Sequence, residues 1–182
     1  MVALAFAFLP FAHRPLPIAH RPSPIAHRKV PTPPALTDAL RLLAGRELSV
    51  AECRARLIDR EHSPEAVDAA IEQLIETRAL DDGRVANAYA RTAVNVKGRG
   101  RLRVLHELHA KGIARDVAAA AVANVFGDLD ERTLVDRAIQ KKLRHRPQPV
   151  SPAEHARLYQ HLMRQGFSPG AVTDALRKLR KG

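Results

Sequence analysis

Tryptophan is absent from this 182-residue sequence and cysteine occurs once, as Cys53. One cysteine excludes an intrachain disulfide and points to a reducing compartment. Aromatic residues make up only 4% of the chain, and Phe6, Phe8 and Phe11 all fall within the first 36 residues. The remainder keeps Tyr89, Phe126, Tyr159 and Phe167. Its interior has to be assembled from Leu, Val, Ile and Ala, which suits thin helical layers better than a β-sandwich. No apolar run reaches the ~18 residues that a membrane span needs, so a soluble, cytoplasmic chain is expected.

Catalytic constellations are missing as well. No paired carboxylates and no Ser/His set emerge, and the GxxxxGK[ST] phosphate loop is absent. Cys53 has no His/Asn arrangement to activate it and reads as a small buried hydrophobe. His106 and His109 stand three apart but lack the further ligands of a metal site. These gaps favour a binding protein over an enzyme, with no cofactor and no metal.

What the sequence has in excess is positive charge, 30 Lys and Arg against 19 Asp and Glu, a net of +11. The excess is uneven. Residues 1–36 carry +4, 37–80 carry −3, 81–128 carry +3 and 129–182 carry +7. A basic total points to nucleic acid or a nucleoprotein surface, and the acidic stretch suggests a second, basic contact.

Eight of the 13 prolines lie in residues 1–36, where PFAHRPL, PIAHRPS and PIAHRKV repeat every seven residues. The apolar start lacks a basic n-region and is interrupted by Pro10, so it does not read as a signal peptide. A disordered tail is expected, and whether it belongs to the native protein stays open.

From residue 37 onward, helix punctuation recurs. Thr37 can cap a helix over Asp38–Gly45, with Leu40 and Leu43 on its apolar side. Ser49 and Glu52 form a capping box, and Ser63-Pro64-Glu65 restarts the chain before Val67, Ala70, Ile71, Leu74 and Ile75. Asp81 and Asp82 open a helix whose apolar face is expected at Val85, Ala88, Tyr89, Ala93 and Val96. Lys97-Gly98-Arg99-Gly100 breaks it, and the next helix carries Leu102, Leu105 and Leu108 to Gly112. Arg115 to Phe126 is Ala-rich. Asp130 caps a helix bearing Leu134, Ala138 and Leu143, Ser151 and Glu154 form another capping box, and Ser168-Pro169 starts the last helix.

Two basic clusters are the candidate contacts. Lys97, Arg99, Arg101 and Arg103 crowd a glycine hinge with no acid among them, and the glycines would let the backbone approach a phosphate or an acidic loop. Lys141, Lys142, Arg144 and Arg146 close a helix, more charge than its dipole alone explains.

The helical units repeat. Leu57 stands ten residues before Val67, Leu108 nine before Val117 and Leu162 ten before Val172, with Gly112 and Gly166 four after their leucines and Glu61 in that place in the first unit. The expected fold is all-α: three tandem three-helix repeats over 37–80, 81–128 and 129–182, forming an elongated, curved body behind the tail.

LDDGRVANAYARTAVNVKGRG, ELHAKGI and HLMRQGFSPGAVTDALRKL together resemble the RecX family, regulators of the RecA recombinase, across about residues 38–180. Gly83 and Val85 stand where that family usually has an acid and a Phe, Arg101 where a Pro is common, and Glu61 where the first module has Gly. The resemblance implies a monomer in the groove of the RecA–DNA filament that most often restrains filament growth, ATP hydrolysis and recombination. On that reading the basic clusters face DNA or acidic filament loops. Two alternatives remain open, a sequence-tolerant DNA- or RNA-binding helical protein acting without a recombinase, and a helical scaffold for another protein.

Overall fold

Every regular element among the described residues, 33–144 and 151–179 of a computed structural model, is an α-helix. The helices are α1 (Pro34–Gly45), α2 (Val50–Ile58), α3 (Pro64–Glu76), α4 (Asp82–Asn95), α5 (Arg101–Ala110), α6 (Arg115–Phe126), α7 (Glu131–Leu143), α8 (Pro152–Gln165) and α9 (Pro169–Leu179). The tail with its His-Arg repeat, and Arg146, Pro147 and Pro149, lie outside the described residues.

Most helix starts are set by side chains that satisfy the first amides. Ser49 and Ser151 each accept from the amide three residues on, and Glu52 and Glu154 return the bond to the cap amide. Asp81, Ser63 and Asp130 cap α4, α3 and α7 in the same manner. α1 departs from expectation: it begins at Pro34, with Pro33 in the cap position and no side-chain cap. Proline fits the first helical turn, where its missing N–H is not needed. Thr37 lies inside the helix and donates its hydroxyl to the Pro33 carbonyl at 3.3 Å.

The helices bury three separate apolar clusters, one per trio. Ala39, Cys53, Leu57 and Val67 are at the heart of the first, Ala90, Val104, Leu108 and Ala118 of the second, and Val135, Leu162 and Val172 of the third. The repeat is tighter in structure than in sequence. Val117 is only half-buried, and Ala118 takes the buried position, so Leu57, Leu108 and Leu162 each stand ten residues before their fully buried partner. Several expected core positions are exposed instead: Leu40, Ile75, Val96 and Leu102. In α4 the buried stripe runs through Val85, Ala86, Ala90, Ala93 and Val94, so Val85 and Ala93 are buried as expected while the rest of the face shifts from Ala88 and Val96 to Ala86, Ala90 and Val94. Alanines lining a close contact carry little apolar signal, which is why the periodicity misplaces it.

All three middle helices end in the same turn. Glu61, Gly112 and Gly166 adopt left-handed backbone at φ +63°, +75° and +86°. Their amides donate to the Ile58, His109 and Met163 carbonyls, and the next amides, of His62, Ile113 and Phe167, reach back to Leu57, Leu108 and Leu162. These are the paired bonds of a Schellman turn.

Candidate functional site

The turns also join the modules. At the first joint, the amide end of α2 meets the carbonyl end of α5. Ser49, fully buried, donates its hydroxyl to the Lys111 carbonyl at 2.6 Å, and a Cβ on Gly112 would overlap Ala51. The Lys111 ammonium pairs with Glu52 at 2.8 Å, while Asp82 accepts the Val50 amide at 2.8 Å. Burial pushes the Glu52 carboxyl up, but its bonds from Lys111 and the Ser49 amide outweigh this and hold it below the usual value.

The second joint repeats the geometry. The amides of Gly100 and Leu102, at the start of α5, donate to the Gln165 and Gly166 carbonyls at the end of α8, at 2.8 and 3.1 Å. One helix's orphan carbonyls thus satisfy the next helix's orphan amides, with the two dipoles aligned. A Cβ on Gly100 would overlap the Gly166 carbonyl, and one on Gly166 would overlap the Arg103 backbone. The close approach that the hinge glycine permits is therefore to the third module of the same chain.

Glu107 lies at the centre of this joint. It accepts from Arg103 Nε at 2.7 Å and from the Tyr89 hydroxyl at 2.7 Å, and lies 3.7 Å from Arg99 Nε. Burial raises its pKa, yet these donors and the two guanidinium charges carry it below the ordinary carboxylate value. Tyr89 is pushed up to about 12, first by burial and then by the Glu107 bond. Arg99 donates Nη1 to Gln165 Oε1 at 2.7 Å, while its Nε is buried without a hydrogen-bond acceptor. Two guanidiniums share one carboxylate, which leaves an unbalanced positive charge beneath the surface.

Next to Gln165, the acceptor of Arg99, opens a cleft of about 270 Å³ between the turn after α4, α7 and α8. Lys97, Lys141, Lys142, His161 and Gln165 line it. A contiguous cleft of about 260 Å³ shares Lys142 and His161 and extends to Arg157 and Arg164. Lys97 lies 4.8 Å over the Tyr89 ring, and Lys141 donates to the Val96 carbonyl at 3.3 Å. His161 is held below its ordinary pKa, first by burial and then by the charges of Lys142, Arg164 and Arg99.

The two clusters expected from the sequence thus converge in part. Lys97, Lys141 and Lys142 meet at one cleft. Arg99 and Arg103 are committed within the joint, Arg103 also donating to the Arg164 carbonyl at 3.2 Å. Arg101 stands 5.6 Å over the Phe126 ring and does not line the cleft, and Arg144 is exposed at the end of α7. Sequence reasoning missed Arg157, His161 and Arg164. Their spacing of four and three puts them on one face of α8, a signal that was present and not used. Among the described residues no group of His, Cys, Asp and Glu could hold a metal ion, and no helix is long and apolar enough to cross a membrane.

Comparison with known proteins matches residues 35–74 to the RecX first three-helix domain and residues 81–122 to the RecX second three-helix domain. The chain is 34% identical over 138 residues to "Regulatory protein RecX" of Halorhodospira halophila, covering 75% of this chain and 83% of that one. It is 31% identical over 147 residues to "Regulatory protein RecX" of Pelodictyon phaeoclathratiforme, covering 81% and 89%. Its fold is similar to the crystal structure of RecX from Lactobacillus salivarius, with a TM-score of 0.68 at 18% identity, over 81% of this chain and 96% of the other. With more than two thirds of the chain aligned at over 30% identity and two successive domains matched in order, the chain belongs to the RecX family.

Proposed function

We propose that this protein regulates RecA by lying along the RecA–DNA filament, where it limits filament growth, ATP hydrolysis and recombination. The observation that carries this reading is family membership over nearly the whole described body, since the relatives are named regulatory proteins and the family resemblance implies RecA as what is regulated. The charge layout supports it. The first module's net of −3 suits a basic protein surface, and the third's +7 suits phosphate or acidic loops. The joints support it too, because modules locked end to end present their surfaces at a fixed spacing, which matches a partner that is itself a repeating polymer.

A second reading, sequence-tolerant nucleic-acid binding without a recombinase, is favoured by the cation-lined cleft. Anisotropy of labelled protein against preformed RecA–single-stranded DNA filaments, and against the bare strand, separates the two. Binding to filaments is expected to be tighter and to weaken steeply with salt. Equal affinity for the bare strand favours the second reading, and indifference to both leaves a scaffold.

A further inference from the structure

We propose that the cleft between α7, α8 and the turn at Lys97-Gly98 is a seat for a backbone phosphodiester of a single nucleic-acid strand, held by Lys142 and Arg164, with His161 taking up a proton as the phosphate enters. Three elements supply its charges. The turn gives Lys97 in the lining, and Arg99, whose charge reaches His161. α7 gives Lys141 and Lys142. On α8 itself stand Arg157 and Arg164 at four before and three after His161, and Glu154 at the outer edge.

Two observations argue for an anion here. The cations outnumber the acids that face them. Glu154 is bonded to the Ser151 amide and hydroxyl at 3.1 and 3.0 Å, and Glu107 below is already shared between Arg99 and Arg103. The second is His161, a half-buried imidazole among these like charges, kept neutral by burial, Lys142, Arg164 and Arg99. An entering phosphate supplies the opposite charge that the site lacks, which favours the imidazolium and adds a charge-assisted donor. The ligand is a strand's backbone rather than its bases, because the cleft lining has no Phe, Tyr or Trp to stack on and its one imidazole lies among phosphate-seeking cations.

The sign follows from linkage. A phosphate that raises the His161 pKa must itself bind more tightly when His161 is protonated. Tightening therefore accumulates as pH falls towards the His161 pKa of the free protein, which lies below the ordinary value of 6.5.

The test uses the full chain without recombinase, so its failure leaves the RecA reading standing. Anisotropy of a labelled oligothymidylate is followed across pH and salt for the native protein, Lys142→Gln and His161→Gln, while NMR follows the His161 ring with oligothymidylate or inorganic phosphate. The oligonucleotide should raise the His161 pKa by about one unit, equivalent to about tenfold tighter binding at the acid than at the alkaline end. Lys142→Gln, an exposed site that leaves the helices intact, should weaken binding and lower the salt slope by about 1. His161→Gln should bind with no tightening below neutral pH. An unmoved His161 together with native-like binding by Lys142→Gln overturns the proposal. A shift produced by inorganic phosphate but not by oligothymidylate overturns the nucleic-acid assignment.

Discussion

Glu61 holds a left-handed backbone, φ +63°, at the position where the second and third modules have glycine. Such a conformation costs a residue with a Cβ roughly 1–2 kcal/mol. The reason glycine is dispensable there is what faces it. Gly112 and Gly166 each lie against the preceding module, where a Cβ would collide with Ala51 or Arg103, whereas Glu61 is exposed. Glu61→Gly is therefore expected to stabilise the protein by about 1 kcal/mol, since relieved strain is partly offset by the greater freedom of glycine in the unfolded chain. A melting temperature higher by a few degrees checks it. At this scale the sequence was partly legible. The odd residue stood out against the repeat, but nothing local told whether its turn would be docked or free. The same limit applies to Arg99, whose charge was evident in sequence and whose burial against Gln165 and Glu107 depends on a partner 66 residues away. Arg101 is simpler: it is the first residue of α5, a position that accepts proline or almost any residue without an amide partner.

The element that organises the body is a column of second helices, with α8 feeding α5 and α5 feeding α2, each carbonyl end meeting an amide end. Helix existence and the cap residues were readable from Ser49, Ser63, Asp81, Asp130 and Ser151. The column was not, because its second joint is made by backbone groups that every residue possesses, its first by side-chain hydrogen bonds between residues 32 to 62 apart, and both by glycines whose role is closeness rather than flexibility. Gly100→Ala and Gly166→Ala are each expected to unfasten the second joint. The loss should be on the order of 2–4 kcal/mol, by the collision at both sites and the added positive-φ strain at Gly166. Gly170→Ala, where a Cβ meets nothing within 4 Å, should cost no stability, and denaturant midpoints of the three variants compare them directly.

Both joints contain a carboxylate held below its ordinary pKa, Glu52 with Lys111 and Glu107 with Arg103. A depressed folded-state value means the group contributes stability above its unfolded pKa and loses it as pH falls. The body should therefore lose stability as pH drops below about 4.5, the ordinary value of both groups. Thermal melts across the acid range check this, and Glu52→Gln with Glu107→Gln should be weaker at neutral pH and flatter against acid. An unchanged acid limb in that double variant would place the acid sensitivity elsewhere.

For the whole molecule, few aromatics and no membrane-length apolar run agree with the helical repeat observed, and the uneven charge underlies the proposed binding to an acidic assembly. On the proposed function that assembly is RecA on DNA, and modules locked end to end would let one molecule act on several neighbouring protomers. The measurement that tests this most directly is RecA ATP hydrolysis on single-stranded DNA as the protein is titrated in. Inhibition that saturates well below one molecule per recombinase protomer is the predicted result. An unchanged rate at excess protein and low salt would contradict it.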